Sequence, residues 1–137
     1  MRLAIVGGAL QGMEAVYLAT AAGIETVVID RKSNVPALSI ADETYILDPT
    51  KDIDPALRIF GDCDAVLPAC EERDLLGILD SSLKEAEIPF LFDLKAYDIS
   101  CSKERSNAFM AEAGVPLPLP WPECGFPAIV KPSCQSG

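Results

Sequence analysis

Short apolar runs alternate with longer segments of mixed polarity over the first 92 residues of the chain. The runs are rich in Val, Ile and Leu and are bounded by Gly, Asp or Pro, which is typical of strands buried on both faces. They predict strands at residues 3–6, 26–30, 45–47, 65–67 and 90–92. Because parallel strands need crossover connections, the alternation predicts an open, doubly wound α/β sheet, mainly parallel and five-stranded.

The segments between the runs predict helices. Apolar residues recur at helical spacing over residues 11–22, and residues 53–60 form a shorter helical segment. The clearest pattern follows the fourth strand, where one apolar face consists of Leu75, Leu76, Leu79 and Leu83. Two further helices are predicted after Asp93 and Ser102, because both side chains can accept hydrogen bonds from the first N–H groups of a helix.

The composition changes after residue 115. Prolines occupy alternate positions 116, 118, 120 and 122, which keeps the chain extended and removes donors needed for a sheet. Residues 128–130 then predict a strand of a new unit. We therefore expect one domain at residues 1–115, with residues 116–137 forming a linker and the start of a second domain.

Charge and cysteine content exclude several function classes. The net charge is −10, which disfavours binding to nucleic acids and to anionic membranes. There is no histidine, so the commonest general base and zinc ligand is missing. The five cysteines include no Cys-x-x-Cys pair, which argues against a disulfide framework or zinc site and favours the cytoplasm.

A glycine-rich loop, residues 7–12, follows the first strand. It approximates the dinucleotide-binding fingerprint, with Ala9 at the middle glycine position and Asp30 at about the spacing of the ribose-binding acid. The methyl group of Ala9 lies where a pyrophosphate would approach most closely. Three interpretations stay open: a tight turn without a ligand, a nucleotide site, or a substrate carboxylate held by the backbone amides of the loop.

The loop after the fourth strand carries Glu71 and Glu72. Ligands of open α/β sheets bind at the carboxyl ends of the strands, so either glutamate could receive a substrate ammonium group. The alternative is that both acids stabilise the N-terminus of the following helix.

Lys103 begins a predicted helix and Lys131 ends the last predicted strand. A small-residue run follows Lys131 and includes Ser133, Ser136 and Gly137. Ammonium groups beside such a loop can hold a polyphosphate.

These elements together resemble the front part of ATP-grasp ligases. The resemblance rests on Lys103, on the Gly-Val-Pro-Leu-Pro segment at 114–118, and on the Pro-x-x-x-Lys-Pro pattern at 127–132. Within that superfamily, the chain is most similar to the amide ligases of pyrrolysine biosynthesis. The runs that carry this closer similarity are residues 7–12, 41–43 and 91–93.

The resemblance implies a Rossmann-like pre-ATP-grasp domain followed by the first strand of an ATP-grasp domain. It implies an enzyme that uses ATP and Mg²⁺ to join 3-methylornithine to the ε-amine of lysine through an acyl phosphate. The implied ATP-binding residues are Lys103, Lys131, Ser133, Ser136 and Gly137. The implied substrate-binding residues are Gly8, Ala9, Leu10, Gln11, Glu71 and Glu72.

The same resemblance places the magnesium ligands and the catalytic arginine beyond Gly137. We therefore assign no catalytic residue or metal ligand here, and we expect the chain alone to be inactive and to bind no cofactor. A homodimer is left open. Two other functions are kept: an ATP-grasp ligase for a different carboxylate, and a free-standing Rossmann-like nucleotide-binding module. Residues 128–131 are expected to be exposed, disordered, or paired with another chain.

Overall fold

A four-stranded parallel sheet organises residues 1–92 of the computed structural model, which describes residues 1–134. The strands are β1 (Arg2–Val6), β2 (Glu25–Asp30), β3 (Glu43–Ile46) and β4 (Ala65–Pro68). Their order is β3-β2-β1-β4, and every pairing is parallel. The predicted doubly wound, parallel α/β architecture is confirmed.

Five α-helices accompany the strands in the described part of the chain. They are α1 (Leu10–Ala21), α2 (Ile53–Gly61), α3 (Arg73–Glu85), α4 (Leu94–Ser100) and α5 (Lys103–Glu112). A 3-10 helix at Pro36–Ser39 was not predicted, because four residues are too few to show a helical period. Within residues 1–134, no helix has the length and apolar character that crossing a bilayer requires.

The central strands β1 and β2 are buried on both faces, which explains their continuous apolar runs. On one face, Ala4 and Val6 of β1 pack with Phe60 of α2 and Leu79 of α3. On the other face, the intervening residues of β1 pack against α1 and the 3-10 helix, in a cluster that contains Leu3, Ile5, Val16, Ala19 and Ala37. Helices on both faces place the ligand-accessible positions at the ends of the strands.

The predicted fifth strand at residues 90–92 is wrong. Only an isolated parallel bridge between Val66 and Phe90 forms. Val66 donates to the Pro89 carbonyl at 2.8 Å and accepts from the Leu91 N–H at 2.8 Å. The ladder extends no further because Pro89 lacks an N–H on one side and Asp93 begins a helix cap on the other.

The chain divides into two compact units, the first at Met1–Phe92 and the second beginning at Asp93. In the second unit the predicted helix caps are confirmed. The Asp93 carboxylate accepts from the N–H groups of Lys95 and Ala96 at 2.9 and 3.0 Å. The Ser102 hydroxyl accepts from the Arg105 N–H at 3.3 Å. The domain boundary that we placed between residues 115 and 116 stays a prediction.

The predicted strand at residues 128–130 is also wrong, since these described residues form no strand. A strand requires partners for its backbone donors and acceptors. The expected exposure of this segment is confirmed, because Ile129 is 84% exposed and Val130 is 97% exposed.

Candidate functional site at the carboxyl edge of the sheet

The loops that follow β1 and β4 meet at one edge of the sheet. The two strands are neighbours, with Val6 opposite Pro68. The Ala69 N–H donates to the Val6 carbonyl at 2.8 Å, and a side chain on Gly7 would place its Cβ 2.8 Å from the Ala69 oxygen. The structure thus brings the predicted Gly8–Gln11 group and the loop containing Glu71 and Glu72 to the same edge, while their role in substrate binding stays a prediction.

Two glycines of the loop have clear steric roles. Gly7 has φ +106°, a conformation that L side chains rarely adopt. A Cβ on Gly12 would lie 2.0 Å from the Gly7 oxygen, so this glycine lets α1 pack closely against the end of β1. Ala9, at the middle position of the fingerprint, is exposed and is the N-cap residue of α1.

The carboxylate of Asp30 is bonded by its own chain. One oxygen accepts from the Gly8 N–H at 2.7 Å, and the other accepts from the Lys32 N–H at 2.7 Å. In a nucleotide-binding site, this carboxylate would accept a hydrogen bond from a ribose hydroxyl. Here it accepts two backbone N–H groups and holds the glycine loop in place, which favours the interpretation of a tight turn without a ligand.

The N-terminus of α1 opens at this edge. Leu10, Gln11 and Gly12 are its first helical residues, and their N–H groups have no acceptor within a regular helix. In this described segment, Ala9 provides no side-chain cap and the first turn carries no acid. Ala9, Leu10 and Gln11 are exposed. These features suit a ligand carboxylate more than a cation.

Glu72 is the N-cap residue of α3, but in this fully described segment its side chain does not cap the helix. Its Oε1 lies 3.2 Å from Nη1 of Arg31, which follows β2. The simple helix-capping alternative therefore does not describe Glu72. Glu71 beside it is exposed.

Cys70 lies in the same loop as the two glutamates. Burial raises the pKa of its thiol, and the Glu72 main-chain N–H only partly opposes that effect. The thiol is therefore protonated at neutral pH. A protonated thiol is a poor nucleophile and a poor metal ligand, so Cys70 is best explained as a packing residue.

The predicted ATP-binding residues lie in the second unit. Lys103 is the first residue of α5, and its backbone N–H donates to the Ser133 carbonyl at 2.9 Å. This bond brings two of the predicted residues together. Lys131 is exposed, whereas Ser136 and Gly137 lie outside the described residues. Within residues 1–134, no three His, Cys, Asp or Glu side chains are grouped to hold a metal ion.

The chain has relatives among curated proteins, although no family model matches it. It is 37% identical over 134 residues to the 3-methyl-D-ornithine–L-lysine ligases of Methanosarcina barkeri and Methanosarcina acetivorans. Each alignment covers 98% of this chain and 37% of the relative. The chain therefore spans a little over a third of the length of these relatives.

Solved structures show the same architecture. N5-carboxyaminoimidazole ribonucleotide synthetase from Thermotoga maritima superposes with a TM-score of 0.67 at 21% identity, covering 86% of this chain and 32% of that chain. The N5-carboxyaminoimidazole synthetase of Staphylococcus aureus, complexed with ADP, superposes with a TM-score of 0.64 at 18% identity, covering 82% of this chain and 29% of that chain.

This chain has the fold of the N-terminal domain of ATP-grasp enzymes.

The resemblance of the sequence to the ATP-grasp ligases is confirmed by these comparisons. One residue at the carboxyl edge of the sheet was missed by sequence reasoning, namely Arg31. A signal was present, since a basic residue directly follows the acid that ends β2. Its contact with Glu72, 41 positions away, depends on the order of the strands and so needed the structure.

Proposed function

We propose that this chain is the N-terminal, substrate-side domain of an ATP-dependent carboxylate–amine ligase. The reaction joins 3-methylornithine to the ε-amine of L-lysine in the biosynthesis of pyrrolysine. The observation that carries the proposal is the 37% identity over 98% of the chain to ligases named for these two substrates. The ATP-grasp-like fold supports the same assignment.

In the proposed reaction, the carboxylate of 3-methylornithine attacks the γ-phosphorus of ATP and forms an acyl phosphate with release of ADP. The lysine ε-amine then attacks the acyl carbon, and an amide forms as phosphate leaves with loss of a proton. Such a transfer depends mainly on positioning and on neutralising the charge of the phosphates. Mg²⁺ would supply part of this neutralisation.

Each unit would supply its own set of binding residues. In the second unit, Lys103, Lys131 and Ser133 would bind ATP; Ser136 and Gly137, outside the described residues, are proposed for the same role. The first N–H groups of α1, presented by residues 8–11, suit a substrate carboxylate. Glu71 and Glu72 suit a substrate ammonium group. The chain alone is expected to be inactive, because it spans only 37% of the length of the ligase on which the proposal rests.

The test is a chimera in which this chain replaces the aligned segment of the Methanosarcina barkeri ligase. We expect ATP-dependent formation of the amide, measured by mass spectrometry. The variant Lys131→Ala should raise the KM for ATP about tenfold through loss of a charge-assisted contact. Lys84→Ala, which removes an exposed lysine of α3, is the matched control. A folded chimera that forms no amide would contradict the proposal.

A second candidate is an ATP-grasp ligase for a different carboxylate. It is supported by a match to the formate-dependent phosphoribosylglycinamide formyltransferase of Methanocaldococcus jannaschii, which is 29% identical over 83 residues, or 59% of this chain and 21% of that protein. Substrate profiling of the same chimera separates the two candidates. Preference for formate or another simple carboxylate over 3-methylornithine would favour the second.

We propose the cytoplasm as the compartment of this enzyme. All five cysteines are unpaired, and unpaired cysteines suit a reducing environment. Growth of intact cells followed by fractionation and immunodetection checks this assignment.

A further inference from the structure

The solvent-facing side of α1 is apolar. The helix packs on the sheet through Gly12, Val16 and Ala19, which are buried. Because a helix completes a turn in about 3.6 residues, Tyr17 and Leu18 lie on the opposite side. These two residues are 69% and 65% exposed. Two large apolar side chains that are neighbours in sequence therefore face solvent.

Glu14 and Ala21 are also exposed and extend this side of the helix in both directions. We call Glu14, Tyr17, Leu18 and Ala21 the outer face of α1. Their spacing is i, i+3, i+4 and i+7, which forms a stripe along one side of a helix. A stripe of this kind is the surface that a second helix covers when two helices pack together. α1 thus has one stripe for the sheet and one for a further partner.

The other two helices that pack on the sheet have polar outer sides. Within their fully described lengths, α2 and α3 expose no large apolar side chain. Their exposed positions include Asp54 and Arg58 in α2, and Asp74 and Lys84 in α3. In contrast, α1 contains a single charged residue, Glu14. A helix that is apolar all round is typical of one that is buried on all sides.

The charge of the chain indicates which partner fits the outer face of α1. The net charge is −10, so a basic partner would be attracted to the acidic surfaces rather than to a helix with one charge. Depletion of charge together with an aromatic residue is typical of the core of a protein–protein interface. Soluble oligomers are mostly two-fold homodimers, in which the same patch of both subunits forms the contact. A second copy brings an equally apolar stripe and buries few charges.

The position of Glu14 selects the register of such a contact. If two copies of α1 pack antiparallel, a two-fold axis at Glu14 would bring two carboxylates together, and like charges across an interface are unfavourable. An axis between Tyr17 and Leu18 avoids this repulsion. It places Tyr17 against Leu18 of the partner subunit, and Glu14 against Ala21 of the partner subunit. In this register the contact leaves the N-terminus of α1 uncovered.

We propose that the outer face of α1 is the contact between two copies of this chain in a two-fold homodimer. Tyr17 and Leu18 lie at the axis and provide most of the buried apolar area. The glycine loop at the start of α1 stays open to ligands in both subunits. This proposal does not rest on the proposed function, and the amide assay of the chimera judges that function independently.

The first experiment measures the dimer dissociation constant of this chain by sedimentation equilibrium. Leu18→Lys should weaken the dimer about a hundredfold, because each dimer loses two buried leucine side chains. The matched controls are Ile46→Lys at the end of β3 and Ile129→Lys in the second unit, both at exposed apolar positions. Both controls should dimerise as the unmodified chain does. Circular dichroism checks that all variants are folded.

Ionic strength tests the apolar character of the contact. Between about 0.01 M and about 0.15 M salt, the screening length of charges falls from roughly 30 to roughly 8 Å. Because the two acidic chains then repel each other less, the dimer should strengthen. Weakening of the dimer over this range would show association through opposite charges and would overturn the proposal.

Cross-linking tests the position of the axis. In a chain carrying Cys124→Ser and Cys134→Ser, which removes the two exposed thiols, Leu18→Cys should give cross-linked dimers with a short bismaleimide. The control Lys84→Cys on α3 should remain uncross-linked. Equal cross-linking at both positions would overturn the proposal. So would a chain that is monomeric up to about 1 mM, a dimer that persists in Leu18→Lys, or one that Ile129→Lys disrupts equally.

Discussion

The two units of the chain stabilise their helices in different ways. All buried hydrophobic residues of the described chain lie in residues 1–92, whereas Ser102 is the one buried residue within 93–134. In residues 1–92, all of which are described, α1, α2 and α3 lack side-chain caps. In the second unit, α4 and α5 both have one. Helices packed on a core can dispense with caps, and helices without buried side chains depend on local hydrogen bonds.

The second unit also exposes large apolar side chains. Phe109 on α5 is 58% exposed. The rings of Trp121 and Phe126 are tilted by 53° with their centroids 4.8 Å apart, and both residues are mainly exposed. Most of the folding free energy of the described chain should therefore come from the first unit. The following predictions test this difference between the units.

The largest effect is expected in the core of the first unit. Phe60 is fully buried against the sheet. Phe60→Ala should lower the free energy of unfolding by about 3–5 kcal/mol, because it removes buried apolar surface and leaves a cavity. Urea unfolding followed by circular dichroism measures the change. Phe109→Ala in the second unit is the matched control and should change it by less than about 0.5 kcal/mol. Similar decreases in the free energy of unfolding in both variants would contradict the proposed difference between the two units.

A smaller effect is expected where α1 meets the end of β1. Gly12→Ala should destabilise the first unit by roughly 1–3 kcal/mol, because the new Cβ would collide with the Gly7 carbonyl and the backbone cannot move away easily. Gly77→Ala in α3 is the control, since its Cβ would meet only the end of the Arg73 side chain. It should stabilise the helix by roughly 0.5–1 kcal/mol. Thermal unfolding of both variants shows whether Gly12→Ala lowers the melting temperature and Gly77→Ala raises it.

Removal of a cap should matter only in the second unit. Asp93→Ala deletes the acceptor for two N–H groups of α4 and should destabilise that helix by about 1 kcal/mol. Amide hydrogen exchange of Lys95 and Ala96 reports the loss. The control is Asp52→Ala at the N-cap of α2, where the described side chain makes no cap bond. Equal changes in exchange for α2 and α4 would contradict the proposed difference.

The smallest effect is expected in the pH dependence of the stability of the first unit. Hydrogen bonds from the Thr26 backbone and hydroxyl lower the pKa of Asp42 below its ordinary value. The resulting stabilisation is complete above the pKa of the unfolded carboxyl group, about 4, and is lost as pH falls through the lower folded pKa. Asp42→Asn should reduce the loss of unfolding free energy at acid pH, measured by urea unfolding at a series of pH values. The reduction should be partial, because the Thr50 hydroxyl lowers the pKa of Asp48 in the same way. An unchanged loss of unfolding free energy at acid pH would argue against this role of Asp42.

The sequence predicted the architecture well where patterns are periodic. The apolar runs located β1, β2 and β4, and the leucine stripe located α3, because burial on both faces of a sheet and on one face of a helix gives regular spacing. The two caps of the second unit were also predicted, since each depends on a single side chain near the helix start. The ends of α1 and α2 differed from prediction by one residue, as frayed ends do. The helix after Asp93 was expected to end at Tyr97 and continues to Ser100.

The failures concern features that depend on partners distant in sequence. Residues 90–92 have strand-like composition, but their ladder stops at one bridge beside Pro89. Residues 128–130 likewise have no strand partner in the described chain. At the candidate site, the glycine loop and the glutamates were visible as local motifs. The bond between Asp30 and Gly8 and the pair of Arg31 and Glu72 depend on strand order, which short-range patterns do not contain.

The hydrogen bonds by which Asp30 holds the glycine loop have a thermodynamic consequence. With its carboxylate bonded to the N–H groups of Gly8 and Lys32, the loop loses its conformational entropy when the protein folds. A ligand that reaches this edge then needs to order little backbone, and more of its contact energy remains as affinity. Replacement of Asp30 would therefore change the entropy of binding at this edge, even for a ligand that never touches Asp30.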